Sequence, residues 1–231
     1  MIISNLKFEN LTFGFGTSKL IFDNVSFDFP LNQTVWIKGH FGSGKSNFLR
    51  LIAGLVTPSS GKIIINNQSI HDLGFTRYSS ILKDIGFGFD GVGLLVNQSL
   101  ENNLALPLRY HKNWTDDQIK NWIIPLMEML NVAHLKDEKP AFVSQSIYKA
   151  FLLLRAFVMA PEMMMINNPL TNLDEIHRES FLSMIDLFKR EHGLKHLYII
   201  SDDEKLLERL NPVKLLIHDG EISYDNERLS A

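Results

Sequence analysis

Eight consecutive residues, Gly39-His40-Phe41-Gly42-Ser43-Gly44-Lys45-Ser46, have the types and spacing to hold a polyphosphate. They match G-x-x-x-x-G-K-[ST], a loop whose glycines let backbone N–H groups close around phosphate oxygens. In that arrangement Lys45 reaches the β- and γ-phosphates, and the Ser46 hydroxyl sits on Mg²⁺. Two elements must hold the loop in place. Thr34 to Lys38, β-branched and aromatic, reads as the strand before it. Asn47 to Ile52 reads as the helix after it, whose N-terminus adds partial positive charge under the phosphates. Gly39 through Asn47 is therefore the expected nucleotide-phosphate site.

Bulk composition narrows the class. The chain has 231 residues, 45% hydrophobic, and a net charge of −3, enough for one large domain and without the basic footprint of a nucleic-acid binder. No cysteine is present, which excludes disulfides and thiolate chemistry. The start, Met1-Ile2-Ile3-Ser4-Asn5, lacks the basic and apolar regions of a signal peptide, and no apolar run approaches the roughly 20 residues that span a bilayer. The eight histidines (40, 71, 111, 134, 177, 192, 196 and 218) show no ligand-like spacing. His40 lies in the phosphate loop, and the others read as surface or structural.

Around the loop the pattern alternates. Leu6 to Phe15 and Leu20 to Phe29 read as antiparallel strands, followed by strands near Gly61 to Asn67 and Ile85 to Phe89. Thr115 to Leu130 places Ile119, Trp122, Ile123, Leu126, Met127 and Leu130 on one helical face, with a Thr115–Gln118 capping box. Pro125 predicts a kink or break in it. A helix over about Ser144 to Met159, a strand at Met163 to Ile166 and a helix around Phe181 to Phe188 come next. A strand at Leu197 to Ser201 and a Val213–Tyr224 hairpin turning at Asp219-Gly220 end the pattern. Strands alternating with helices predict an α/β fold with a largely parallel sheet.

With these landmarks in order, the chain resembles the ATP-binding-cassette (ABC) ATPases along essentially its whole length. The carriers are "ENLTFGFG" and "LIFDNVSF", "GHFGSGKSNFLRLIAGLVTPSSGKIII", "PEMMMINNPLTNLD" and "LYIISDDEKLLERL". The resemblance implies one domain over residues 1–231. It has a P-loop NTPase (RecA-like) core, an N-terminal antiparallel β subdomain and an inserted helical subdomain at roughly 94–159. It implies ATP and Mg²⁺ as ligands, with Phe15 (Phe13 second) stacking on adenine.

Against the family pattern, the catalytic positions diverge. The Walker B strand, which ends Asp-Glu in the family, ends here in Asn167-Asn168. The first carboxylate would support Mg²⁺ and the second would act as general base; an amide is a weak metal ligand and accepts no proton. The Q-loop glutamine is replaced by Asp90 and the switch histidine by Asp202. The signature Leu-Ser-Gly-Gly-Gln reads Val143-Ser144-Gln145-Ser146-Ile147, while the D-loop Leu173-Asp174 is kept. These changes predict weak or absent hydrolysis. Two alternatives stay open: an active ATPase whose chemistry runs through Asp90 and Asp202, with Asp90 helping to hold Mg²⁺, and a soluble ATP-sensing adaptor without a permease.

Partners follow from the same resemblance. Cassettes pair head to tail, so Ser144, Gln145 and Ser146 would face a nucleotide on a second cassette, identical or not. The stretch "GLLVNQSLENNLALPLRYHKNWTDDQI" is similar to cassettes of bacterial lipid transporters of the Mla/MCE-associated group, and lipoprotein-release and FtsE-like cassettes look similar there. It implies a membrane permease docking near Leu94, Leu95 and Val96, and a peripheral place on the cytoplasmic face of the inner membrane.

Overall fold

The computed structural model describes residues 2–15, 19–89 and 93–225. The chain divides into two compact units. One lies within residues 1–82, 165–167 and 195–231, the other within 83–164 and 168–194.

The first unit contains two sheets. In one, β1 (Leu6–Phe15) lies between β2 (Lys19–Asp28) and β4 (Ser60–Ile65), all antiparallel, with the short β5 (Gln68–Ser69) beyond β4. Burial alternates along β1 with a one-residue slip at the irregularity between Phe8 and Leu11, so that Leu6, Phe8, Leu11 and Phe13 are all buried. Phe8 packs edge-on to Phe22 and Phe29 and against Phe48. In the other sheet, β3 (Thr34–Lys38) pairs in parallel with both β8 (His196–Ile200) and β9 (Val213–His218). The strand order there is β10-β9-β3-β8-β7, where β10 is Glu221–Tyr224 and β7 is Met163–Asn167. A central parallel strand is buried on both faces, and β3 and β8 accordingly read as continuous apolar runs. Buried polar tips are satisfied: Trp36 Nε1 donates to Ser201 O at 3.0 Å, and the Tyr198 hydroxyl donates to Pro30 O at 2.6 Å. Helices α1 (Lys45–Ile52), α2 (Phe75–Leu82) and α7 (Glu204–Glu208) complete the unit.

The second unit is mostly helical. It contains β6 (Ile85–Gly88), α3 (Leu100–Lys112), α4 (Asp116–Met129), α5 (Gln145–Phe157) and α6 (Glu175–Glu191). Met163, at the start of β7, also belongs here, and its N–H donates to Asp84 O just ahead of β6. Phe157, Phe181, Phe188, Trp122 and His192 form one aromatic cluster, and Trp122 Nε1 donates to Val158 O at 2.8 Å.

Two readings need correction. Helix α4 runs on through Pro125 without a break. The capping box of Thr115 and Gln118 is formed, and Ile119, Ile123, Leu126 and Met127 are buried along one stripe, which outweighs one missing N–H. Helices α2 and α3 are additional to the sequence reading; α3 starts at a Ser99 cap that accepts from Asn102 N and contains Pro107. Among the described residues, no helix is long and apolar enough to cross a membrane.

Candidate nucleotide site

The phosphate loop joins β3 to α1 as the spacing predicts. Close approach dictates its glycines. Gly39 has φ +152°, and a Cβ there would stand 2.3 Å from Ile217 O and 2.5 Å from Ser43 Oγ. Gly44 has φ +103°, and its Cβ would meet Ile21 Cγ2 at 2.5 Å. Helix α1 starts at Gly44 with no side-chain cap and no acidic residue in its first turn, so its first N–H groups are left for an anion.

Several polar groups here lack a normal partner. The Lys45 ammonium donates back to the carbonyls of Gly39 and His40, the latter at 3.1 Å. Ser43 Oγ is buried without a hydrogen bond. Asn167, the last residue of β7, donates from Nδ2 to Ser46 Oγ at 3.3 Å, while its Oδ1 is buried and unpartnered. Orphaned buried acceptors and a folded-back lysine fit a loop built for a phosphate and a hydrated cation. Ser46 and Asn167 are the residues that would hold Mg²⁺ here. Neither carries charge, so the pair offers a hard cation less than a serine and an aspartate would.

The remaining expected residues fall out as follows. Phe15 ends β1 and is more than half exposed (57%), edge-on to the buried Phe13 at 5.3 Å. Asp202 is exposed in the turn after β8. Asp90 lies outside the described residues. Phe41 is fully exposed, Gly42 has φ +82°, and Asn47 lies in the first turn of α1. Asn168 begins the later segment of the second unit, 168–194, with φ +47°, a left-handed conformation that asparagine tolerates better than most residues.

Within the second unit the signature and the D-loop meet. Ser144 caps α5, accepting from Ile147 N at 3.3 Å. Gln145 is the first residue of that helix. Ser146 Oγ accepts from Asp174 N at 3.2 Å and lies 3.0 Å from His177 Nδ1. His177 Nδ1 also lies 2.6 Å from Asp174 Oδ1, and the same carboxylate caps α6. Leu173 is buried beside it in the chain. His177 is thus a buried tie between signature and D-loop, which its spacing does not reveal. Of the three expected docking residues, Leu94 is core, with its N–H bonded to the Tyr148 hydroxyl, whereas Leu95 and Val96 are exposed.

Another grouping was invisible in the sequence. His40, His218 and Asp219 offer three ligand atoms within 4.8 Å of one another, all on exposed residues. The first two are far apart in the chain, and only the parallel pairing of β3 with β9 brings them together.

Comparison with known proteins places this geometry. The family model described as ABC transporter matches residues 22–171. The intermembrane phospholipid transport system ATP-binding protein MlaF of Haemophilus influenzae is 26% identical over 202 residues, 87% of this chain and 76% of that protein. The Fe(3+) ions import ATP-binding protein FbpC of Fusobacterium nucleatum is 26% identical over 95% of this chain, which spans only 57% of FbpC. The methionine import ATP-binding protein MetN of Clostridioides difficile is 22% identical over 94% of this chain. A dimeric post-hydrolysis structure of the ATP-binding cassette MJ0796 bound to ADP and Pi superimposes with a TM-score of 0.83 at 23% identity, covering 94% of this chain and 96% of that one. The family model spans the phosphate loop, the signature and the Asn167-Asn168 strand end, and on that match the chain belongs to the ABC transporter family.

Proposed function

We propose that the chain is the ATP-binding subunit of a membrane transporter and that it holds MgATP while hydrolysing it slowly or not at all. The observation that carries this reading is the pair of neutral amides at the end of β7. Asn167 is hydrogen-bonded to Ser46 and leaves a buried amide oxygen, not a carboxylate, beside the metal ligand. Asn168 follows and has no basic oxygen to take a proton from water.

In this reading Lys45 exchanges its two loop carbonyls for phosphate oxygens, and the α1 N-terminus takes up further negative charge. Phe15, exposed at the end of β1, stacks on the base. Bound nucleotide then favours pairing with a second cassette, identical or not, instead of powering turnover. Ser144 is committed to its own helix cap and Ser146 to the D-loop, so this signature offers a partner's γ-phosphate less than a glycine-rich one. Exposed Leu95 and Val96, and Leu106 and Tyr110 on α3, are the apolar side chains offered to a permease, and in this reading the subunit sits peripherally on the cytoplasmic membrane face. Lipid is the cargo class favoured by the likeness of the 93–119 stretch to lipid-transport cassettes and by the MlaF relative.

A variant pair tests the split between binding and turnover. ATP with Mg²⁺ is expected to raise the melting temperature of the native chain, and Lys45→Ala to abolish that shift. Phosphate release is expected to stay at the Lys45→Ala background in both. Sustained turnover well above that background from the native chain would overturn this reading and favour a re-routed mechanism. Asp202 is available to such a mechanism because it is exposed after β8, and loss of the release in Asp202→Ala would identify it.

A further inference from the structure

We propose that His40, His218 and Asp219 form a site for a transition-metal ion of the Zn²⁺ class at the outer edge of the phosphate loop, separate from the Mg²⁺ position at Ser46. Strands β3 and β9 pair in parallel, with Lys38 opposite Leu216. His40 stands two residues past Lys38, in the loop just after β3, and His218 two residues past Leu216, at the end of β9. The backbones remain close there, since a Cβ on Gly39 would fall 2.3 Å from Ile217 O. The two imidazoles consequently lie edge to face with centroids 5.4 Å apart.

The third ligand is fixed by a turn. Asp219 (φ +47°) and Gly220 (φ +81°) are the two central residues of the hairpin that pairs His218 with Glu221. This leaves Asp219 Oδ2 3.3 Å from His218 Nδ1 and Oδ1 3.9 Å from His40 Nε2. Around a tetrahedral zinc with ligand bonds of about 2.0–2.1 Å, donor atoms are separated by roughly 3.3 Å. Small rotations of three exposed side chains close the difference.

Tautomer logic points the same way. His40 Nδ1 is 2.8 Å from Phe41 O. A carbonyl only accepts, so the ring hydrogen of neutral His40 is on Nδ1 and the lone pair is on Nε2. That lone pair faces the Asp219 carboxylate at 3.9 Å, an arrangement of two acceptors that a shared cation would stabilise. A backbone carbonyl that orients the far nitrogen of a ligating histidine is also the usual outer-sphere support of a metal site.

The donor set chooses the ion. Two imidazole nitrogens and one carboxylate oxygen suit zinc, cobalt, nickel or copper, whereas magnesium keeps to oxygen ligands. Three protein ligands leave a fourth position for water. Exposure makes the site quick to load and its affinity modest. Once loaded, the ion ties residue 40 of the phosphate loop to the β9–β10 turn.

Calorimetric titration of Zn²⁺ into the nucleotide-free chain, with Co²⁺ followed by visible absorption, tests the assignment. The expected result is one equivalent bound with micromolar affinity, a tetrahedral Co²⁺ spectrum, and no competition from millimolar Mg²⁺. His40→Ala and His218→Ala are each expected to weaken binding by roughly tenfold or more. Asp219→Asn is expected to weaken it less, since an amide oxygen remains. Far-UV circular dichroism checks that each variant is folded. Binding unchanged in either histidine variant, displacement by Mg²⁺, or no binding above that of the His40→Ala/His218→Ala double variant would each overturn the assignment.

Discussion

Asn168 has a left-handed backbone, and Asn167 spends its amide hydrogen on Ser46. Returning carboxylates to these positions has unequal consequences. Asn167→Asp puts a charged oxygen where the orphaned amide oxygen now lies, so it is expected to tighten Mg²⁺-dependent ATP binding, read by calorimetry with and without Mg²⁺. Asn168→Glu supplies a base but places a longer side chain at φ +47°, which is expected to cost about 1 kcal/mol of stability in a denaturant titration. Turnover is expected to rise only when both changes are combined. The sequence made this part of the site legible because motif spacing is local. The partners of Ser146 and His40 were not legible: His177 and Asp174 lie across a helix–strand crossover, and Asp219 lies at the far end of a parallel strand pair.

Among the elements, runs of β-branched and aromatic residues located β1, β3, β7 and β8 to within a residue or two. What failed was recognition of α2 and α3. The α3 segment contains Pro107 and paired asparagines, and its order comes from Asn103, which is buried at 2% exposure. That side chain accepts from Leu95 N at 2.6 Å and donates to Leu95 O at 3.1 Å and Ser99 O at 2.9 Å. Such a staple has no periodic signature. Asn103→Leu would leave the Leu95 backbone groups unpaired and is expected to destabilise the chain by about 2 kcal/mol, measured by urea unfolding. At the other functional element, Gly39→Ala is expected to abolish nucleotide binding, because the added methyl lands on Ile217 O and Ser43 Oγ. Unimpaired ATP binding by that variant would contradict the packed-loop description.

At the scale of the whole molecule, the α/β class, the family and the antiparallel entry sheet were all readable from the order of motifs, since each motif carries its own strand or helix with it. The division into two units was less readable, because it depends on where β7 passes from one to the other, between Met164 and Met165 inside an unbroken apolar run. Nucleotide ligands of the first unit are expected to stabilise it directly by mass action. The proposed function joins an intact phosphate loop to a Walker B strand end without carboxylates, Asn167-Asn168. Its most direct test is calorimetric titration of MgATP into the purified chain, with phosphate release followed in the same samples. Saturable binding at one site per chain is expected, with little or no release above the Lys45→Ala background. Binding accompanied by sustained release would contradict it, and so would the absence of binding.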